Sequence, residues 1–158
     1  MSISHEQVEQ FLTRYAATLT DLDAEAAAEL WSMPGVIADD RFSGVVESRG
    51  AMVDGLKQSY PLYQQLGLGS VTYELLEDKP LTDRLVLVHV RWDFLDAHGD
   101  FLVDSTAYYL LRDEPTGLRA ALCIQLDDLE KLLALATARG IDLPPPTATG
   151  SGGSDLEA

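Results

Sequence analysis

The chain has 158 residues, and its 26 acidic and 11 basic residues give a formal net charge of −15. This length suits one domain, which can bury roughly two thirds of the surface of its unfolded chain, and it leaves no room for a second domain. The excess of acid repels phosphate backbones and anionic lipid headgroups, so we expect no nucleic acid and no membrane surface among the partners.

The positions of cysteine, histidine and apolar residues indicate the cellular compartment and the absence of a metal site. The amino terminus lacks the basic start and apolar run of a signal peptide, and the apolar stretches are shorter than a membrane span. Cys123 is the single cysteine, which excludes an internal disulfide, and His5, His89 and His98 show no metal-ligand spacing with it. We therefore predict a soluble cytoplasmic protein that holds no metal and no cofactor.

Two helices are predicted at the start of the chain. Ser4 and Gln7 have the spacing of a capping box, and apolar residues then recur on one face of a helix over about residues 6–20. Either aspartate of Asp21-Leu-Asp23 can cap a second helix. This helix is predicted to extend through the alanine-rich run to Trp31. Pro34-Gly35 is expected to end that helix.

A short strand and a third helix follow. Residues 36–40 have the composition of a strand. Arg49-Gly50 precedes a helix whose inward positions include Met52 and Tyr60. Pro61 is expected to end this helix or kink it, because proline cannot continue a helical hydrogen-bond ladder.

From residue 67 onward the hydrophobic period changes to two, which predicts strands. Turn residues separate the predicted strands and are short enough for an antiparallel meander. If His98-Gly99 forms a two-residue turn, Asp93 lies opposite Asp104, and Arg91 lies opposite Thr106. The predicted strands cover residues 69–77, 85–95, 101–112 and 118–126.

A closing helix is predicted over residues 128–139, with Gly140 ending it. Residues 141–158 are rich in proline, glycine and serine and cannot bury enough apolar area to order themselves. We therefore divide the chain into a folded domain over residues 1–140 and a mobile tail over residues 141–158.

The element order and several short motifs resemble one family. The motifs are Arg14-Tyr15 on the first helix, Asp21-Leu-Asp23 before the second, Trp31 at the end of the second helix, Asp39-Asp40 on the short strand and Arg49-Gly50 opening the third helix. Over residues 4–131 this arrangement resembles the NTF2-like superfamily, in its SnoaL-like and ketosteroid isomerase-like branch. The resemblance implies an α+β fold of cone shape, also called cystatin-like, in which helices pack inside a highly curved antiparallel sheet. It also implies a pocket in the cone for a small apolar molecule, and a homodimer.

The resemblance to the isomerases assigns Asp39 as a general base, with Asp40 as the alternative, and Tyr15 as donor to an enolate oxygen. A carboxylate in an apolar pocket has a raised pKa, which suits proton abstraction next to a carbonyl. The opposing interpretation makes Asp39-Asp40 a solvated turn and Tyr15 a core tyrosine with a satisfied hydroxyl. The isomerases' second oxyanion donor, an aspartate, aligns here near Ala107.

A second hypothesis involves Arg91 and Asp93, whose Arg-x-Asp spacing matches that of limonene-type epoxide hydrolases. Alternate residues of a strand share a face, so the two side chains can pair. The same alternation predicts that Trp92 and its apolar neighbours line the interior. Arg91 and Asp93 would then point outward, onto the sheet face that many relatives use for dimerisation.

Three functions thus remain open: cofactor-independent proton transfer, as in an isomerase, cyclase or dehydratase; epoxide opening; and a noncatalytic ligand-binding or dimerisation module. An open cone would favour an enzyme, and a filled interior would favour the module. The residues predicted to form the cavity wall are Trp31, Met52, Tyr60, Trp92, Phe94 and Tyr109.

Overall fold

The computed structural model describes residues 3–126 and 128–140. The predicted tail therefore lies outside the described residues. The elements follow the order α1 (His5–Asp21), α2 (Ala24–Glu29), β1 (Trp31–Ala38), β2 (Ser43–Val46), α3 (Arg49–Gln65), β3 (Leu68–Pro80), β4 (Leu85–Asp96), β5 (Phe101–Glu114), β6 (Gly117–Gln125) and α4 (Asp128–Ala138).

The six strands form one curved sheet in the order β2-β1-β6-β5-β4-β3. Strands β3 to β6 make the predicted antiparallel meander, whereas β1 pairs with β6 in parallel. The sheet is therefore mixed, which corrects the prediction of a purely antiparallel one. The α+β class is confirmed.

Helix α1 begins as predicted. The Ser4 side chain accepts a hydrogen bond from the Gln7 amide and the Gln7 side chain accepts one from the Ser4 amide, which completes the capping box. Its apolar stripe includes Val8, Phe11 and Leu12, all buried. Because this stripe packs on the sheet, mainly against β3 and also against β6, α1 supplies much of the core.

The second helix ends earlier than predicted, at Glu29, and Trp31 begins β1. Pro34-Gly35 therefore lies inside a strand and ends no helix. The strand can hold a proline because the pairing of β1 with β6 is irregular between Trp31 and Val36, so no regular ladder hydrogen bond is required there. The Met33–Pro34 peptide bond is cis.

Helix α3 also differs from its prediction, because it continues past Pro61 to Gln65. The turn beyond the proline buries Tyr63 and Leu66, and the Tyr63 ring stacks on Phe94 with centroids 5.7 Å apart. This packing offsets the hydrogen bond that Pro61 cannot donate.

Strict alternation gives the sheet two distinct faces. On β4 the buried residues are Val86, Val88, Val90, Trp92 and Phe94, which face the helices as predicted. We call this side the inner face. The outer face carries the alternate residues, which on β4 and β5 include Leu87, His89, Arg91, Asp93, Leu102, Asp104, Tyr108 and Leu110.

Helix α4 packs against β5 beyond the end of the shorter β6. Ala136 of this helix is buried in the main core. At its end, the Arg139 guanidinium donates a hydrogen bond of 2.9 Å to the carbonyl of Leu66. The helix therefore joins the sheet to the carboxyl end of α3.

Candidate functional site

An aromatic cluster fills the interior between α1 and the inner face of the sheet. The Tyr15 ring lies 5.6 Å from Trp92 and 5.8 Å from Tyr109, measured between ring centroids. Two indole groups donate to two phenols: Trp31 to Tyr15 at 3.0 Å and Trp92 to Tyr109 at 3.2 Å. All four side chains are at most 5% exposed, so their polar atoms depend on one another.

Burial raises the pKa of both Tyr15 and Tyr109 above the ordinary value for tyrosine, so both phenols are neutral at physiological pH. The Tyr15 oxygen already accepts the indole hydrogen of Trp31. This arrangement matches the interpretation of Tyr15 as a core tyrosine with a satisfied hydroxyl, which the sequence left open.

The interior cavity is small. Its volume is about 20 Å³, and its lining includes Leu19, Tyr63, Ser105 and Gln125 beside three predicted wall residues, Trp92, Phe94 and Tyr109. This volume is enough for about one water molecule. The other predicted wall residues, Trp31, Met52 and Tyr60, are buried in the core and do not line it.

Asp39 lies in the turn between β1 and β2. Its carboxylate accepts hydrogen bonds from the backbone amides of Arg41, at 2.8 Å, and Phe42, at 3.1 Å. The Arg41 guanidinium approaches the same carboxylate at 3.4 Å, and Asp40 beside it is exposed. Carboxylates that bond to following amides stabilise such turns. The polar contacts of Asp39 are thus confined to its own turn, while those of Tyr15 lie in the aromatic cluster.

Arg91 and Asp93 lie on the outer face, on the side of β4 opposite Trp92. Their side chains pair at 3.2 Å, and Arg91 also contacts Glu74 of β3 at 2.6 Å. Asp104, opposite Asp93, contacts Lys131 of α4. The predicted pairing of these strands is confirmed. Asp93 and Asp104 each contact a cation, and Asp93 shares Arg91 with Glu74.

A polar cluster at the ends of β1, β5 and β6 was not predicted. Ser32 donates to Glu114, and Arg112 donates to Ser32 at 3.1 Å. Arg119 lies 3.7 Å from the same carboxylate. The only signal in the sequence was a concentration of charges around the turn at residues 113–117, which is more typical of a solvated loop.

A second cleft, which we call the arginine cleft, lies between α1, α2 and the turn that joins β5 to β6. Arg14 and Thr18 contribute from α1, Glu29 lies at the end of α2, and Thr116 and Arg119 come from the turn and β6. It shares no lining residue with the interior cavity. These residues are distant in the sequence, and no motif joins them.

The described residues contain neither a group of metal ligands nor a membrane-spanning helix. Over residues 3–126 and 128–140, no three His, Cys, Asp or Glu side chains lie together so that they could hold a metal ion. No helix in the same ranges has the length and hydropathy needed to cross a bilayer.

Solved structures share the fold at low sequence identity. An NTF2-like protein of unknown function from Shewanella oneidensis is 15% identical, with a TM-score of 0.63 over 77% of this chain and 98% of its own. A ketosteroid isomerase-like protein from Erwinia carotovora is 16% identical, with a TM-score of 0.58 over 78% and 97% of the two chains. An NTF2-like protein with a cystatin-like fold from Novosphingobium aromaticivorans is 21% identical, with a TM-score of 0.59 over 85% and 86%.

Identity this low establishes the fold and nothing about activity. No curated protein matches the chain. The family described as NTF2-like protein (DUF6841) matches residues 5–127, which is most of the folded part. The chain therefore belongs to this NTF2-like family and has the cystatin-like fold that its sequence predicted.

Proposed function

We propose that this protein is a noncatalytic NTF2-like module that joins two copies of itself through the outer face of its sheet. The observation that carries the proposal is the filled interior, where Tyr15, Trp31, Trp92 and Tyr109 occupy the space that a ligand would need. A fold whose cone is packed shut presents its sheet as the remaining large surface.

The packing inside the cone supports a structural role for the aromatic cluster. A pocket for a small organic molecule measures about 300–1,000 Å³, whereas the interior cavity has about 20 Å³. A flat apolar ligand could enter only if Trp92 or Tyr109 moved, which would break the hydrogen bond between them. The buried indole N–H of Trp92 would then lose its acceptor.

The outer face has the composition of a surface that can be buried against a copy of itself. Half-buried apolar and aromatic side chains lie along its three central strands: Leu87, Leu102, Tyr108, Leu110, Leu122 and Ile124. The His89 ring stacks on Tyr108 with centroids 4.3 Å apart. Apolar and aromatic side chains of this kind are typical of homodimer interfaces.

Cations on this face pair with three of its acids. Arg91 contacts Asp93 and Glu74, and Lys131 contacts Asp104. These contacts reduce the repulsion between two such faces, although each chain carries a net charge of −15. On this account Arg91 and Asp93 organise an interface and do not open an epoxide.

The two enzyme hypotheses have less support in the geometry. Proton transfer requires Asp39 to act as base beside Tyr15, and the hydrogen bonds of the two side chains lie in different parts of the molecule. Epoxide opening requires Arg91 and Asp93 to face the cone, and they face away from it. We also place the module in the cytoplasm, because a chain with one cysteine needs no oxidising compartment.

Sedimentation equilibrium of the full chain tests the proposal. The wild type should have twice the mass of one chain, and Leu110→Lys, on the outer face of β5, should have the mass of one chain. The control is Leu81→Lys, at an exposed leucine in the turn between β3 and β4. Both variants change the net charge equally, so only the surface differs.

The circular dichroism spectrum of Leu110→Lys should match that of the wild type, which shows that the fold is intact. A wild type that remains a single chain at about 100 µM would contradict the proposal, because interfaces of standard size usually bind more tightly than this. So would a folded Leu110→Lys that still forms dimers.

A further inference from the structure

The arginine cleft has the size and the chemistry of a small-molecule site that is separate from the cone. Its volume is about 320 Å³, which falls within the range of about 300–1,000 Å³ found for ligand pockets. It is formed where the first two helices meet the turn between β5 and β6. The cleft shares no lining residue with the interior cavity or with the apolar side chains named for the proposed interface.

Arg14 is the first unusual feature of this cleft. Among the residues that the structure describes, no carboxylate pairs with its guanidinium and no carbonyl accepts from it, and the side chain is exposed. By contrast, Arg49, Arg84 and Arg139 each donate to a backbone carbonyl. Arg14 is therefore available to an anionic group from outside the chain.

Arg119 is the second feature, because it is fixed in place before any ligand arrives. Its guanidinium donates to the Glu29 carbonyl at 2.7 Å and twice to the Thr116 hydroxyl, at 2.9 and 3.2 Å. The side chain is only 18% exposed. An arginine has five N–H donors, so two remain for a ligand. A donor group held this way loses little conformational entropy on binding.

Glu29 supplies the opposite charge. Its backbone carbonyl holds Arg119, whereas its carboxylate accepts no hydrogen bond from the described residues. Among the described residues, the Glu29 carboxylate and the Arg14 guanidinium of the cleft thus contact neither each other nor another charged group. The lining of the cleft also includes four small or apolar side chains, which are Ala17, Ala26, Leu30 and Leu118.

We infer that the arginine cleft binds a free α-amino acid with an apolar side chain. Arg14 and Arg119 would bind the carboxylate, Glu29 would bind the ammonium group, and the apolar residues would contact the side chain of the ligand. Such a ligand carries both charges and no net charge, so the field of a chain at −15 does not repel it.

Isothermal titration calorimetry of the full chain with leucine tests this inference. Two analogues each remove one charge: 4-methylpentanoate lacks the ammonium group, and 3-methylbutylamine lacks the carboxylate. Leucine should bind with saturation, and each analogue should bind at least about tenfold more weakly, since each loses one charge-assisted hydrogen bond.

Variants assign the contacts. Arg14→Gln should weaken leucine binding at least about tenfold, and Glu29→Gln should abolish the preference for leucine over 4-methylpentanoate. Arg41→Gln, at an exposed arginine in the turn between β1 and β2, is the matched control and should bind as the wild type does. Unfolding curves for each variant confirm that the fold is retained.

Three results would overturn the inference. The first is an absence of saturable leucine binding up to about 10 mM, which is weaker than a useful site requires. The second is leucine binding that Arg14→Gln leaves unchanged. The third is equal binding of leucine and 4-methylpentanoate by the wild type, which would show that the ammonium group is not recognised.

Discussion

The hydrogen bond between Trp31 and Tyr15 offers the sharpest test of the filled interior. Tyr15→Phe removes the phenolic oxygen and keeps the ring, so the ring contacts with Phe11, Trp92 and Tyr109 remain. The indole N–H of Trp31, which now donates at 3.0 Å, would be left buried without an acceptor. We therefore expect the variant to fold and to be less stable.

The expected loss follows from the cost of an unsatisfied buried donor, which is about 1–3 kcal/mol. In a chain of this length each kcal/mol lowers the melting temperature by about 2–4 °C. Urea denaturation should therefore show a reduced free energy of unfolding, and the melting temperature should fall by roughly 2–12 °C. Leu81→Ala, at an exposed leucine in the turn between β3 and β4, is the control and should change the free energy by less than about 0.5 kcal/mol.

A double-mutant cycle separates the hydrogen bond from other effects of the substitution. In a Trp31→Phe background the donor is absent, so Tyr15→Phe should cost little or even stabilise, because it removes an oxygen that has lost its partner. The coupling energy should be about 1 kcal/mol or more. A coupling energy below about 0.5 kcal/mol would refute the reasoning, since the two side chains would then act independently.

Three further predictions concern other parts of the molecule. In Gly69→Ala the new Cβ would clash with the backbone oxygen of Asp96, so urea denaturation should show a free energy of unfolding lower by about 1–3 kcal/mol. Burial raises the pKa of Tyr60 from 10.0 to about 12. The stabilisation that comes from this shift is complete below pH 10 and is lost as the pH rises through 12. Tyr60→Phe should therefore reduce the fall in the free energy of unfolding at alkaline pH. The hydrogen bond to Asp78 raises the pKa of His5, so Asp78→Asn should lower it in an NMR titration, and an unchanged value would show that the contact is absent in solution.

In the hairpin of β4 and β5, a longer turn and a register shift in the strands compensate for each other. The sequence predicted a two-residue turn at His98-Gly99, but the amide of Asp96 bonds to the carbonyl of Asp100, which leaves a three-residue loop. Gly99 has a φ of 85° there, a conformation that suits this kind of loop. A register shift between Phe94 and Leu95 compensates for the extra loop residue. The pairing of Asp93 with Asp104 is therefore as predicted, although the turn is not.

Strand β1 was the least predictable element, because its structure depends on distant partners. The alanine-rich run before it favours helix, and Pro34-Gly35 is typical of a helix end. Trp31 instead lies beside Ala120 of β6 and buries its indole against Tyr15. Tertiary packing therefore makes this segment a strand, although its local propensity favours the end of a helix.

The directions of the candidate site residues could be predicted, but the filling of the cone could not. Alternation alone placed Trp92 inward and Arg91 outward, and the burial pattern of β4 agrees. Whether inward aromatic rings enclose a pocket or fill it depends on how Tyr15, Trp31 and Tyr109 meet in space, and they come from three separate elements. The arginine cleft was missed for the same reason.

Hydroxyl-radical footprinting of the full chain tests the proposed interface most directly, because it reports the exposure of individual side chains. The comparison is between Tyr108 on the outer face and Leu81, which is 48% exposed in a turn. The proposal predicts that Tyr108 is protected at high protein concentration and becomes reactive on dilution, while Leu81 reacts equally at both. Equal reactivity of Tyr108 at both concentrations, in a sample that light scattering shows to change from dimer to single chain, would place the interface elsewhere and contradict the account.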